Sequence, residues 1–133
     1  SRVGRPPVGD RVSVRLPDRT LRELDRRARR ARLSRAEVAV VPHLDVAAVD
    51  AFLSARRPSA RRCLVVTESY FSMDADTPDL AALAAVCRRH DAIFMVDEAH
   101  ALGVFGPEGR GFCADVGVEP DIRVGTLGKS FGL

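Results

Sequence analysis

The sequence predicts an α/β fold built on a parallel sheet. Three observations predict it. Two short β-prone runs stand at residues 63–67 and 93–96, an amphipathic helix separates them, and polar residues fall where the strands should end. Strand, helix, strand is the repeating unit of a parallel sheet, with a right-handed crossover expected. Ligands in such sheets gather beyond the carboxyl ends of the strands. Glu68, Asp97 and Thr126 each lie at or just past such an end, so they mark one candidate rim.

Along the chain, residues 1–17 carry Gly4, Pro6, Pro7, Gly9 and Pro17 and read as irregular. Residues 20–32 have helical composition, but Leu21 and Leu24 are their only large apolar side chains, which makes a weak core element. Val38, Val40 and Val41 suggest a short strand, followed by His43, Leu44 and Asp45. A helix is expected from Asp45 to about Arg56, with Val46, Val49 and Leu53 on one face and Pro58 ending it. The run Cys63-Leu64-Val65-Val66-Thr67 is continuously β-prone, as in a strand covered on both faces. After the loop 68–76, Thr77 can cap a helix with Pro78 at its first position, and Leu80, Leu83, Ala84 and Cys87 form its buried stripe. A second strand at 93–96, a glycine-punctuated stretch from Gly103 to Gly111, and a short strand near Ile122 and Val124 complete the pattern.

The 133 residues suit one ordinary domain, and 46% hydrophobic with 29% charged residues is globular composition. No apolar run reaches the ~18–20 residues that a membrane span needs, and the first residues do not resemble a signal peptide. Cys63, Cys87 and Cys113 are far apart, which argues against a zinc site or a disulfide framework and fits a reducing cytoplasm. The net charge of +3 is unevenly spread. Residues 1–40 hold 12 Arg against 5 acidic residues, whereas residues 41–133 hold 9 basic against 13 acidic. An arginine-rich arm of this kind is a footprint of nucleic-acid binding. Against it, Arg2 to Arg35 contain no aromatic residue for base stacking.

Lys129 is the only lysine; the other 20 basic residues are arginine. An amine can lose its proton and condense with an aldehyde, which a guanidinium cannot. Two readings compete for its surroundings. Phe94-Met95-Val96-Asp97-Glu98-Ala99-His100 resembles the magnesium-binding box of some helicases, and Gly128-Lys129-Ser130 the end of a phosphate-binding loop. That loop needs glycine five positions before Gly128, where Arg123 stands, and it should precede the acidic box rather than follow it. The second reading uses every conspicuous residue. Pyridoxal phosphate needs a lysine for its aldehyde, a carboxylate at its ring nitrogen, a partner for its ring oxygen, and donors for its phosphate. Asp97 at a strand end suits the ring nitrogen, whose positive charge would pair a carboxylate that is costly to bury alone. His100, three residues on, suits the ring oxygen.

Four segments in order carry a family resemblance: Thr67-Glu68-Ser69-Tyr70-Phe71-Ser72-Met73-Asp74-Ala75-Asp76, Val96-Asp97-Glu98-Ala99-His100, Gly103-Val104-Phe105-Gly106-Pro107-Glu108-Gly109-Arg110-Gly111, and Gly125-Thr126-Leu127-Gly128-Lys129. Together they resemble the α-oxoamine synthases, a class I/II aminotransferase-like group of fold-type I pyridoxal phosphate enzymes. The resemblance runs from about Arg32 to the end. It implies a partial parallel-sheet sandwich from the large domain of a fold-type I transferase, with residues 32–133 its central, truncated part. It also implies a decarboxylative condensation of an amino acid with an acyl-CoA or acyl-carrier thioester. L-Alanine and a pimeloyl thioester are the expected pair, leading toward biotin; glycine or serine is the alternative amino acid. Residue by residue, Lys129 would hold the cofactor aldehyde, Asp97 the ring nitrogen, His100 and Ser72 the ring-oxygen side, and Thr126 the phosphate. Family members act as homodimers, so an isolated piece of this length is expected to lack turnover.

Residues 1–31 depart from the family pattern. Where it carries a histidine that stacks on the cofactor ring, this chain has Leu24-Asp25-Arg26-Arg27-Ala28-Arg29. The abrupt change near Arg32 is what a shifted reading frame upstream would produce.

Overall fold

The computed structural model describes residues 39–132. The irregular stretch and weak helix expected before residue 33 lie outside them. Of the strand suggested by Val38, Val40 and Val41, residues 39–41 carry no regular structure and Pro42 is a single bridge residue. From Leu44 onward the chain packs as one unit.

Helix α1 spans Val46–Arg56. Asp45 caps it, its Oδ1 accepting the Ala48 N–H at 2.8 Å, which satisfies one of the free amides of the first turn. Leu53 is buried, and Val46 and Val49 pack beside it, as the spacing predicts. Pro58 sits in a short 3-10 turn, Arg57–Ser59, that closes the helix. Strand β1 follows at Leu64–Glu68.

Helix α2, Leu80–Arg89, begins later than expected. Its cap is Asp79, whose Oδ1 accepts the Ala82 N–H at 2.8 Å; Thr77 and Pro78 precede the cap. A carboxylate two residues on from Thr77 is the stronger acceptor for those amides, so it sets the start. Leu80, Leu83, Ala84, Val86 and Cys87 are all buried. The far end of this helix is tied to α1 and its exit. Asp50 meets His90 Nε2 at 2.6 Å and Arg89 at 2.9 Å, while Arg57 Nε donates to the His90 carbonyl at 2.7 Å.

Strand β2 is Ile93–Asp97 and β3 is Ile122–Val124. The three strands form one parallel sheet in the order β1-β2-β3, with Glu68 beside Asp97 and Asp97 beside Val124. Between β2 and β3 lie a 3-10 turn at Pro107–Gly109 and a four-residue helix, α3, at Phe112–Asp115. The α/β class with a parallel sheet is as the sequence predicts; α3 is too short to leave a periodic signal.

Phe94 and Val96 are buried and share a core with Leu53, the α2 stripe, Cys113 and Val118. Each of its Leu, Val and Phe side chains contributes about 1.5–3 kcal/mol by leaving water. The opposite sheet face differs from expectation. Leu64 is 53% and Ile122 42% exposed, and Val66, Ile93, Met95 and Val124 are only half-buried. Continuous β-branched sequence predicts cover on both faces; among the described residues one face has it.

Candidate active site

Parallel pairing brings the ends of all three strands to one rim. Asp97 closes β2, and its backbone carbonyl accepts the Ser69 N–H at 2.9 Å, which extends the β1–β2 pairing past Glu68. The Asp97 carboxylate is half-buried. Its Oδ1 accepts the Ala99 N–H at 2.8 Å, so the side chain is oriented by its own turn and Oδ2 is left for another donor.

The chain then folds back on itself. Ala101 and Leu102 N–H groups both donate to the Glu98 carbonyl, at 2.9 and 2.8 Å, forming the turn that carries His100. His100 Nε2 lies 2.8 Å from Lys129 Nζ, a contact across 29 residues of sequence. A protonated lysine donates there to a neutral imidazole; a neutral lysine accepts from the ring N–H.

Two features hold the Lys129 turn against the His100 turn. Ser130 Oγ donates to the Leu102 carbonyl. Gly103 adopts φ +82°, and a Cβ there would run into the Ser130 side chain and lie 3.2 Å from the Phe131 ring. Only glycine satisfies both the backbone angle and the close approach. Thr126 lies half-buried two residues beyond β3; its Oγ1 accepts the Gly128 N–H at 3.3 Å. Ser72 is exposed in the turn closed by the Phe71–Asp76 bridge and has no hydrogen bond to the other four among the described residues. The expected residues thus divide: His100 and Lys129 meet directly, Asp97 stands at the strand end where the His100 turn begins, Thr126 stands in the lysine loop, and Ser72 remains on a separate loop.

Sequence reasoning left several contributors without a role. Ser69 is fully buried, and its hydroxyl has no hydrogen-bond partner among the described residues. Glu98 is also fully buried. Its Oε1 accepts the Cys113 N–H at 2.8 Å, and its Oε2 lies 3.2 Å from Arg123 Nε without hydrogen-bond alignment. Burial, followed by the Glu98 charge, pushes the Cys113 thiol up to about 12, so it is no nucleophile near neutral pH. Nothing in the alternation of β2 distinguishes an inward Glu98 from a solvated one; Gly111, whose missing side chain makes its space, was the available signal.

Comparison with known proteins adds an independent line. The family model for aminotransferase class I and II matches residues 27–133. The 8-amino-7-oxononanoate synthase of Mycolicibacterium smegmatis is 55% identical over 104 residues, covering 76% of this chain and 27% of that protein. The enzyme of the same name from Paracidovorax citrulli is 46% identical over 108 residues, covering 77% and 26%. Among solved structures, serine palmitoyltransferase from Sphingomonas wittichii superposes with a TM-score of 0.61 at 42% identity, over 68% of this chain and 23% of that one. The S. paucimobilis enzyme, with a bound PLP–myriocin aldimine, matches at a TM-score of 0.61 and 41% identity, over the same shares. The chain spans about a quarter of the length of the curated relatives it matches.

Proposed function

Because this chain belongs to the aminotransferase class I and II family, we propose that it is the cofactor-binding segment of a pyridoxal-phosphate-dependent C-acyltransferase. The reaction on this reading is decarboxylative condensation of L-alanine with a pimeloyl thioester, on CoA or a carrier protein, in biotin formation. The substrate choice is supported by relatives named 8-amino-7-oxononanoate synthase at 55% and 46% identity. The site reading is carried by one observation: the sole lysine amine sits 2.8 Å from the His100 imidazole, three residues past a strand-end carboxylate.

The donor set fits the cofactor. Pyridoxal phosphate, when bound, supplies an electron sink that stabilises a carbanion at the amino acid's α-carbon. Lys129 provides the amine that anchors the aldehyde, and it must be neutral to do so. His100 Nε2 lies within hydrogen-bond reach of that amine. His100, beside the lysine amine, would be the residue to contact the ring oxygen. Asp97 Oδ2, not engaged by the Ala99 turn, would be the oxygen to pair with the ring nitrogen. Thr126 Oγ1 accepts locally from Gly128, which leaves its O–H to donate to a phosphate oxygen. Ser72 has the weakest support of the five, as an exposed hydroxyl on the loop after β1.

Residues 32–133 form the central part of the large domain on this reading, and two copies of the whole protein build the site. A cytoplasmic setting is supported by three free thiols, Cys63, Cys87 and Cys113. No helix among the described residues is long and apolar enough to cross a membrane. The serine palmitoyltransferase structures favour serine as a second reading of the amino acid. Amino-acid titration of the cofactor-loaded chain separates the two. L-Alanine should perturb the cofactor's visible absorption at lower concentration than L-serine or glycine. A response to serine alone would move the assignment to the second reading.

A further inference from the structure

Glu98 lies between two residues assigned to the cofactor, yet its side chain is withdrawn from solvent completely. Its backbone N–H donates to the Val124 carbonyl at 2.7 Å, joining the end of β2 to the end of β3. Its carbonyl accepts both amides of the His100 turn. Its carboxylate accepts the Cys113 N–H in α3 and faces the Arg123 guanidinium on β3. Gly111 is cut to this carboxylate: it holds φ +95°, and a Cβ there would stand 2.7 Å from both Glu98 oxygens. One residue therefore ties together the ends of β2 and β3, the His100 turn and the start of α3.

Stability alone does not account for a carboxylate in this position. Withdrawing an ion pair from water is expensive, and well-packed apolar replacements of such pairs are often neutral or stabilising. The Cys113 amide fixes one carboxylate oxygen by a directional bond and the Arg123 guanidinium holds the other by charge, so the placement of the corner must suit both. A side chain two atoms shorter reaches neither Cys113 nor Arg123.

We propose that Glu98 is a positioning residue of the cofactor site: its buried carboxylate, clamped between Cys113 and Arg123, fixes the corner that sets Asp97 and His100 against Lys129. This rests on the cofactor reading above for what the site binds, but the corner's geometry is testable without the cofactor. Glu98→Gln keeps an acceptor for the Cys113 amide and removes the charge facing Arg123. Glu98→Ala removes both.

The chain has three histidines, and His90, hydrogen-bonded to Asp50 at the far ends of α1 and α2, serves as an internal control. Both variants are made in the whole chain, and the imidazole NMR signals are assigned in each. The expected result is a resolved displacement of the His100 ring signals in Glu98→Gln, larger in Glu98→Ala, with His90 unmoved. In parallel, the pyridoxal phosphate concentration needed for half-maximal borohydride trapping at Lys129 should rise about ten-fold or more in Glu98→Gln. Unmoved His100 signals in either variant while His90 keeps its native position would overturn the proposal. Loss of native signals from all histidines in both variants would also overturn it, since Glu98 would then hold the fold as a whole. If the unsubstituted chain traps no pyridoxal phosphate, the cofactor reading fails alone, and the His100 signals still decide the role of Glu98.

Discussion

The Ser69 amide donates to the Asp97 carbonyl at 2.9 Å, and this bond carries the parallel pairing of β1 and β2 one residue beyond the end of β1. It matters because Asp97 is the last strand residue, where pairing would otherwise fray. With its carbonyl held by Ser69 and its carboxylate by the Ala99 amide, Asp97 is fixed at both ends before any ligand arrives.

Asp97→Asn should leave the fold intact, because an amide oxygen still accepts from Ala99, and should weaken pyridoxal phosphate binding. Loss of a charged hydrogen-bond acceptor is worth roughly 1.5–3 kcal/mol, or about ten-fold or more in affinity. Equilibrium binding of the cofactor to both forms measures it. Equal affinity would remove Asp97 from the ring nitrogen.

Gly111→Ala should destabilise the chain by roughly 2–4 kcal/mol, through left-handed strain and collision with the Glu98 carboxylate at 2.7 Å. Urea unfolding of the variant gives the value. A change under 1 kcal/mol, on the order of a minor surface substitution, would mean the corner relaxes freely.

Helix α2 provides a test of its observed start. Asp79→Ala should cost about 1 kcal/mol, because Ala82 loses its cap, while Thr77→Ala should lie within roughly 0.5 kcal/mol of the parent. The opposite order would restore Thr77 as the cap.

Much of this architecture was legible in the sequence, and the reasons differ by element. The α2 stripe and strand β2 were readable because apolar spacing reports directly which face is buried. The cap of α2 was misplaced because Thr77-Pro78 is a good local signal, yet Asp79 offers the stronger acceptor two residues closer to Leu80. Two-sided burial of the sheet was expected from β-branched composition, which records what a strand can pack against rather than what lies nearby. At the site, Lys129 stood out as the only lysine, and the Asp97–His100 spacing followed from the strand ending between them. The Ser130–Leu102 contact and the Glu98 clamp depend on pairings across 28 and 15 residues, and no periodicity encodes those.

Alkaline pH should destabilise the chain through its two buried thiols. Burial raises Cys87 from 9.0 to about 11, and burial with the Glu98 charge raises Cys113 from 9.0 to about 12. Below pH 9 both thiols keep their protons in either state, so stability is at its full value. Between pH 9 and about 11–12 the unfolded chain releases protons that the folded chain retains, so stability falls as pH rises. The loss is read as a urea midpoint that falls as pH rises across that window. At pH 8 a thiol reagent should label half-buried Cys63 first, with Cys87 and Cys113 following only on unfolding.

The central claim is that Lys129 is the amine that holds the cofactor. The chain is incubated with pyridoxal phosphate, reduced with borohydride, digested and mapped by mass spectrometry. A single pyridoxyl group on Lys129, absent from Lys129→Ala, is the predicted result. Saturating cofactor that leaves Lys129 unmodified, or label of equal yield in Lys129→Ala, would contradict it.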